Sequence, residues 1–139
     1  IEPLFAIDVT PVINYGALLP GEISLSDVAA NITNLGNVET DLAIRGYAFN
    51  DGDPWAMNCS GYGNINLEYE RYSLTADLGF EAMTYNLTNH FINLTDFDLE
   101  KKIDESENST KSIYWKLQVT QATLGYCTGT VIFSAYQPE

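Results

Sequence analysis

The feature of this sequence that most constrains its fold is the alternation of large apolar and polar residues near the C-terminus. The first alternating run places apolar residues at Ile113, Trp115, Leu117 and Val119. The second run places apolar residues at Val131, Phe133 and Ala135. Successive side chains of a β-strand point to opposite faces, so each run predicts a strand with one buried and one solvated face. Because a glycine-containing segment joins the two runs, they predict an antiparallel hairpin in the middle of an all-β core.

Similar short runs, separated by turn residues, fill most of the remaining chain. They cover residues 4–10, 12–15, 28–33, 41–49, 65–72, 80–87 and 91–99, with a short helical turn as an alternative at 75–80. Polar, turn-forming segments at 50–63 and 101–111 predict loops. About eight or nine short strands with turn chemistry between them predict an immunoglobulin-like β-sandwich with Greek-key crossings. The Cys–Trp–Cys spacing of antibody domains is absent, because Cys59 lies in a predicted mid-chain loop, so the architecture is predicted and not that family.

Length and charge limit the class of protein. A chain of 139 residues is long enough for one domain with a two-layer core, which we place at residues 12–139, preceded by an N-terminal strand at residues 1–11. Nineteen acidic and six basic residues give a net charge of −13, which disfavours nucleic acid and anionic membranes as partners. No run of about 18 apolar residues predicts membrane insertion. Because Ile1 is not Met, we expect that a leader was removed, although a trimmed chain would begin in the same way.

The two cysteines, Cys59 and Cys127, predict one disulfide if the protein is extracellular. Both lie beside glycines, at predicted loop or strand ends where a covalent link closes most easily. The loop between them is long, and the chain-entropy account assigns it a stabilisation of roughly 4 kcal/mol or more before any strain is subtracted. In a cytosolic protein the same two residues would be buried thiols.

Five Asn residues match the acceptor pattern for N-linked glycosylation, Asn-X-Ser/Thr with no proline at X. They are Asn31, Asn58, Asn86, Asn93 and Asn108. The content of Asn, Ser and Thr would produce roughly two matches by chance. Asn31, Asn86 and Asn93 alternate with inward residues, and the other two lie in predicted loops, so all five can point outward. The sequence therefore predicts covalent N-linked glycans, whereas the alternative is that Asn-rich turns create the pattern by accident.

No group of residues predicts catalysis, a cofactor or a metal site. Asp51 and Asp53 resemble the start of a calcium-binding loop, but the remaining ligand spacing is missing, and turn chemistry explains them as well. His90 is the only histidine and would need an orienting partner such as Asp96 or Asp98, together with a nucleophile in a recognisable context, which the chain lacks. We therefore expect a protein that is not an enzyme and needs no cofactor.

Trp55 lies in a predicted loop, in a chain that contains nine tyrosines. An exposed aromatic ring at such a place is a candidate platform for a sugar or for a partner protein. The simpler interpretation, which we prefer, is that Trp55 folds back over the end of the sandwich near Cys59.

Several longer phrases resemble secreted immunoglobulin-like β-sandwich proteins of archaeal and some uncultivated bacterial cell surfaces. The matching motifs are Val9-Thr10-Pro11, Tyr15-Gly16, Pro20-Gly21, Thr33-Asn34-Leu35-Gly36-Asn37-Val38 and Gly125-Tyr126-Cys127-Thr128-Gly129-Thr130. The match covers about two-thirds of the chain and leaves residues 73–108 outside. These are turn motifs, so the resemblance implies fold more firmly than role. It implies a surface structural protein: an S-layer-associated module, an adhesin, or a subunit of a glycosylated thread or bundling pilus.

In some filaments of the kind that the resemblance implies, a terminal strand of one subunit completes the sandwich of the next. Here the run at residues 4–10 is apolar on one face and lies at a chain end, and an unpaired sheet edge is a template for an added strand. We expect Phe5, Ile7 and Val9 to dock into a neighbouring subunit, unless they form the first strand of their own sandwich. The predicted function is thus a secreted, N-glycosylated structural subunit of a homopolymeric cell-surface filament. The alternatives are an adhesin or carbohydrate-binding module that uses the loop around Trp55, or a hydrolase.

Overall fold

The structure, a computed structural model, describes residues 2–101 and 109–137. Within these residues the chain is all-β, as predicted, with eleven strands and two short 3-10 helices. The strands are β1 (Ile7–Val9), β2 (Val28–Asn34), β3 (Thr40–Tyr47), β4 (Trp55–Cys59), β5 (Asn64–Asn66), β6 (Glu70–Ser73), β7 (Tyr85–Asn86), β8 (Ile92–Leu99), β9 (Thr110–Leu117), β10 (Cys127–Thr128) and β11 (Thr130–Tyr136). The 3-10 helices are Leu67–Tyr69 and Phe80–Ala82.

The strands form three sheets in which every neighbouring pair is antiparallel. The five-stranded sheet has the order β1-β2-β9-β6-β7. The β3 sheet has the order β11-β3-β8, and the β4 sheet has the order β10-β4-β5. The first and the last strands of the chain are therefore edge strands of different sheets.

One hydrophobic core joins the five-stranded sheet to the other two. Trp115 on β9 is fully buried, and its ring centroid lies 4.6 Å from that of Tyr72 on β6 and 6.1 Å from that of Phe133 on β11. The buried residues around Trp115 come mainly from strands of all three sheets: Ala30, Ile32, Leu42, Ile44, Ala56, Leu87, Leu94, Phe97, Leu99 and Ile113. Burial that is shared between sheets in this way is consistent with a β-sandwich.

The apolar side of the alternation predicted near the C-terminus is confirmed on β9, although Lys116 on the opposite side of the strand is buried as well. Ile113, Trp115 and Leu117 are buried, and the strand is paired on both sides, with β2 and with β6. Strands β2, β8 and β11 also lie where the sequence pattern predicted them. Apolar alternation thus located the long strands and their inward faces.

The predicted hairpin between the last two long strands is wrong. β9 belongs to the five-stranded sheet, whereas β11 pairs with β3 in another sheet. The connecting residues 118–129 include a turn at 121–122, but they do not join β9 directly to β11, because they pair with other parts of the chain: Tyr62 bridges Leu124, and β10 pairs with β4. The chain therefore crosses from one sheet to another at this point.

The loop predicted at residues 50–63 is wrong in part, because it contains β4. Its Asn, Asp, Gly and Pro content is typical of a loop, yet Trp55–Cys59 pairs with both β5 and β10. The turn-forming residues do form a turn, but only at the start of this segment. There Asp53 accepts backbone N–H bonds from Phe49 at 2.8 Å and from Asn50 at 3.0 Å, and so closes the turn that leads into β4.

Two other predicted strands are absent or short. Residues 12–15 belong to no strand, and the side chain of Asn14 accepts a backbone N–H two residues further on. The run at residues 80–87 begins with the second 3-10 helix, and only β7 within it pairs. In these segments, local turns therefore use backbone N–H donors that a longer strand would need for pairing with its neighbour. Of the loop predicted at residues 101–111, positions 102–108 lie outside the described residues.

Candidate functional site

Residues 10–20 form a segment, here called the N-terminal strap, that connects β1 to the turn before β2 and belongs to no strand. Backbone hydrogen bonds hold its two ends. Thr10 donates to the carbonyl of Asn31 at 3.0 Å, and Gly21 donates to the carbonyl of Val119 at 2.8 Å. A groove of about 890 Å³ opens between the strap and strands β9, β10 and β11.

The groove is lined mainly by apolar side chains. They include Ile13, Leu18, Met57, Val119, Val131 and Phe133. Its lining also includes the segment 123–129, next to the Cys59–Cys127 disulfide. Among the described residues that line the groove, Glu70 carries the only ionisable acid or base group other than two tyrosines.

Glu70 begins β6 and is only 2% exposed. Its Oε2 accepts a hydrogen bond of 2.6 Å from the Tyr15 hydroxyl of the strap. Burial raises the pKa of the Glu70 carboxyl from 4.5 to about 7, and the hydrogen bond from Tyr15 opposes this rise. Burial and the nearby Glu70 carboxylate raise the pKa of Tyr15 well above its ordinary value, so this hydroxyl remains a donor. The groove therefore contains a carboxyl that changes charge near neutral pH.

The burial of Glu70 was not predicted from the sequence. The pattern of residues 65–72 indicates one alternating strand, in which Tyr69 and not Glu70 would point inward. In the structure the 3-10 helix Leu67–Tyr69 interrupts this run and shifts the alternation by one residue. Beyond the helix, Glu70, Tyr72 and Ser73 are buried, and Arg71 between the first two is half-buried. The sequence contained one indication of this burial: Glu70 and Tyr72 are two residues apart. That spacing puts both side chains on the same face of a strand, but the face is the inward one only if a new alternation begins after the helix.

The N-terminal strand β1 lies at the edge of its own five-stranded sheet, where it pairs with β2. Ile7 and Val9 are half-buried and pack against the core, whereas Phe5 precedes the strand and is 39% exposed. The single chain thus places two of the three predicted subunit-contact residues on its own core. The strand is shorter than the predicted run of residues 4–10, because residues 4–6 bond to the turn after β2.

Strand β11 is the edge strand beside the groove. One of its sides pairs with β3, from Thr130 opposite Tyr47 to Tyr136 opposite Asp41. Within residues 2–101 and 109–137, no strand pairs with its other side. An unpaired edge presents backbone N–H and C=O groups that another strand can use.

The five predicted glycosylation sites lie in different surroundings. Asn31, Asn86 and Asn93 are exposed, as glycan attachment requires. Asn58 is half-buried, and its amide donates a hydrogen bond of 2.8 Å to the side chain of Asn64 on the neighbouring strand. Asn108 lies outside the described residues. Three of the five positions therefore meet the steric requirement without any rearrangement.

Cys59 and Cys127 form the predicted disulfide. They lie directly opposite each other in the β4–β10 ladder and are 68 residues apart in sequence. Gly129, the residue between β10 and β11, approaches β4 so closely that a Cβ there would overlap the carbonyl oxygen of Ala56. The disulfide and this close approach tie the β4 sheet to the segment that leads into β11.

The acidic turn at residues 50–53 has structural partners. Asp51 forms an ion pair with Arg45. Asp53 accepts four backbone N–H bonds, from Ala48, Phe49, Asn50 and Trp55. Burial alone would raise the pKa of the Asp53 carboxyl, but these four hydrogen bonds lower it below its ordinary range. In the part of the chain that the structure describes, no cluster of three or more potential metal ligands is found.

His90 is exposed, and its ring lies 3.4 Å from the side-chain oxygen of Asn89. Asp96 and Asp98 follow on β8, and no hydrogen bond or ion pair in the described residues joins either of them to His90. The structure therefore does not bring together the histidine and the carboxylates that the sequence offered as partners.

Trp55 begins β4 and is half-buried, so it is not the exposed loop residue that a stacking platform requires. Exposed aromatic side chains near this region include those of Phe49, Tyr62 and Tyr126, which are 59%, 66% and 87% exposed. Tyr62 forms a bridge with Leu124, and both tyrosines lie close in sequence to the disulfide.

No family model matches the chain, and neither curated proteins nor solved structures show significant similarity to it. Across the described residues, none of the helices has the length and apolar character needed to cross a bilayer.

Proposed function

We propose that this chain is a secreted, non-enzymatic structural subunit of a cell-surface filament, with an immunoglobulin-like β-sandwich that assembles by strand complementation. The observation that carries the proposal is the unpaired outer edge of β11, beside an open groove. A seven-residue edge strand with no covering strand is a template for another chain. A donated N-terminal strand covers this edge and brings Phe5, Ile7 and Val9 as its apolar side chains. The turn motifs that resemble archaeal surface proteins support the same function.

The two ends of the molecule also favour head-to-tail assembly. β1 begins opposite Asn34, where β2 ends, so Phe5 lies near that end of the sheet. β9 starts at the same end and runs away from it, so the segment after Leu117 lies at the opposite end. Each end exposes apolar side chains: Leu4, Phe5 and Leu35 at the first, and Tyr62, Leu124 and Tyr126 at the second. A contact between unlike ends repeats from one subunit to the next and produces a fibre when the rotation between subunits does not close into a ring.

A disulfide that locks β1 to β2 tests strand donation. Asp8 and Thr33 lie directly opposite each other in the β1–β2 ladder, so Asp8→Cys combined with Thr33→Cys should close a bond within one chain on oxidation. We expect this locked variant to remain monomeric under conditions in which the parent forms fibres visible by negative-stain electron microscopy. Alkylated single-cysteine variants at the same two positions serve as controls and should assemble like the parent. Fibres formed by the locked variant with its new bond intact would rule out strand donation.

We also propose that N-linked glycans coat the outward faces, at Asn31, Asn86 and Asn93, with Asn58 and Asn108 as further acceptor positions. Protein recovered from the producing cells should lose mass on chemical deglycosylation, in steps that correspond to whole glycans. Asn93→Gln should remove the mass of one glycan. Asn50→Gln, an exposed position outside the acceptor pattern, should leave the glycan mass unchanged. An intact mass that deglycosylation leaves unchanged would contradict this part of the proposal.

A second candidate function is an adhesin or carbohydrate-binding module. The exposure of Tyr62 and Tyr126 favours it, because exposed tyrosine rings can stack on sugar rings. Electron microscopy of secreted material separates the two functions. A polymer of repeating beads supports the filament subunit, whereas a discrete monomer that binds glycans supports the binding module.

A further inference from the structure

The groove beneath the N-terminal strap combines apolar walls with one buried carboxyl, that of Glu70. The strap contributes Tyr15, and the segment before β10 contributes Tyr126, which are the other two titratable side chains in the lining. The remaining strands contribute uncharged side chains, among them Met57, Leu117, Val131 and Phe133. No described group that lines the groove carries a positive charge.

One oxygen of the Glu70 carboxyl lacks a partner in the described chain. Tyr15 donates to Oε2 at 2.6 Å, and no described group donates to Oε1. Oε1 is not among the fully buried atoms that lack a partner, so it remains open to solvent. The ion pairs formed among the described residues are Arg45–Asp51 and Arg71–Glu81, so neither arginine compensates Glu70. A carboxylate that is buried with a single donor is unfavourable unless a counter-charge approaches it.

We propose that this groove binds a small organic cation, an ammonium or guanidinium group carried on an apolar body. The cationic group donates a charge-assisted hydrogen bond to Oε1 of Glu70. The apolar body lies against Val131 and Phe133. A volume of about 890 Å³ falls in the range of pockets that hold small ligands. The inference does not rest on the filament proposal, because the groove is open in the single chain and the test uses monomeric protein.

Proton binding at Glu70 competes with the cation. Because burial raises the pKa of Glu70 to about 7, the carboxyl is mostly protonated near pH 5 and mostly ionised near pH 8. The affinity for a cation therefore rises by on the order of tenfold or more between these two conditions. The affinity for a neutral ligand of the same shape stays constant.

Titration calorimetry of monomeric protein with hexylamine, hexanol and hexanoate near pH 8 tests this assignment. Hexylamine is protonated under these conditions and should bind at least about tenfold more tightly than hexanol, while hexanoate should bind more weakly than either. Glu70→Gln should abolish the preference for hexylamine. Glu68→Gln, which removes an exposed carboxyl two residues earlier, should preserve it.

Equal affinities for hexylamine and hexanol, an absence of hexylamine binding, or a preference that survives in Glu70→Gln would each overturn the assignment. Val131→Trp provides a second, independent test. A bulky ring at this position fills the groove and should weaken hexylamine binding by about tenfold or more. Unchanged affinity in Val131→Trp would place the amine elsewhere on the protein and would also overturn the proposal.

Discussion

Removal of the Cys59–Cys127 disulfide, through Cys59→Ala combined with Cys127→Ala, is expected to lower the free energy of unfolding by about 4 kcal/mol. The bond links residues 68 positions apart, and in the chain-entropy account the loss arises because the unfolded chain gains freedom. An unfolded chain with fewer constraints also exposes more surface, so the dependence of the unfolding free energy on urea concentration should become steeper. The expected loss is large against the roughly 5–15 kcal/mol that is typical of a folded domain.

Urea unfolding followed by tryptophan fluorescence measures both quantities, because Trp115 lies in the core. Thr128→Ala is the matched control. Thr128 lies in the same two-residue strand, opposite Asn58, and carries no covalent link, so its replacement should change the free energy of unfolding by no more than about 0.5 kcal/mol. A loss below about 1 kcal/mol in the double variant would show that packing between β4 and β10 holds this region together without the bond.

Glu70→Gln is expected to raise the free energy of unfolding near pH 8 by about 3 kcal/mol. The pKa of this carboxyl is 4.5 without burial and about 7 in the folded protein. Between these values the folded state keeps a proton that the unfolded state has released, so the stability of the parent falls as pH rises, by about 1.4 kcal/mol per pH unit. Above the folded-state pKa both states are ionised and the loss is complete. Gln keeps the shape and accepts the hydrogen bond from Tyr15, but it carries no charge.

Urea unfolding at several pH values from about 5 to about 8 provides the measurement. The difference between the parent and Glu70→Gln isolates Glu70, because other shifted groups are present in both proteins. One of them is Asp41, whose pKa burial raises. Glu68→Gln should leave the pH profile of the parent unchanged, since Glu68 is exposed. Parallel profiles for the parent and Glu70→Gln would show that Glu70 ionises in the groove without a penalty.

The long strands could be predicted from the sequence, whereas their partners could not. The alternation of Ile113, Trp115 and Leu117 located β9 and its buried face, because burial of a strand face depends on side chains that are close in sequence. The same pattern placed β11 correctly but paired it with β9, while in the structure β11 pairs with β3. Backbone hydrogen bonds are alike in every ladder, so they do not identify the neighbouring strand.

Amino-acid composition gave a partly wrong prediction for one segment, for a related reason. Residues 50–63 have the content of a loop, and the turn around Asp53 does form there. β4 forms inside this segment because β5 and β10 supply partners on both sides and the disulfide holds one of them in place. Tertiary pairing of this kind overrides local preference.

The residues of the candidate site also fall into two groups, those that the sequence could identify and those that it could not. Cys59, Cys127 and the exposed Asn31 follow from local chemistry and from strand parity, so they could be found before the fold was known. The contact between Tyr15 and Glu70 joins residues 55 positions apart and could not. It exists because the strap passes over the start of β6, after a 3-10 helix has turned Glu70 inward.

Local side-chain order was thus sufficient to locate the long strands β2, β8, β9 and β11, the buried apolar side of β9 and the two cysteines of the disulfide. Folding in three dimensions sets the neighbours of each strand, leaves β1 and β11 as edges, and surrounds Glu70 with apolar walls. The difference has one physical origin. Apolar periodicity acts between residues that are close in sequence, whereas strand pairing and the pKa of a buried carboxyl depend on groups that packing brings together from distant parts of the chain.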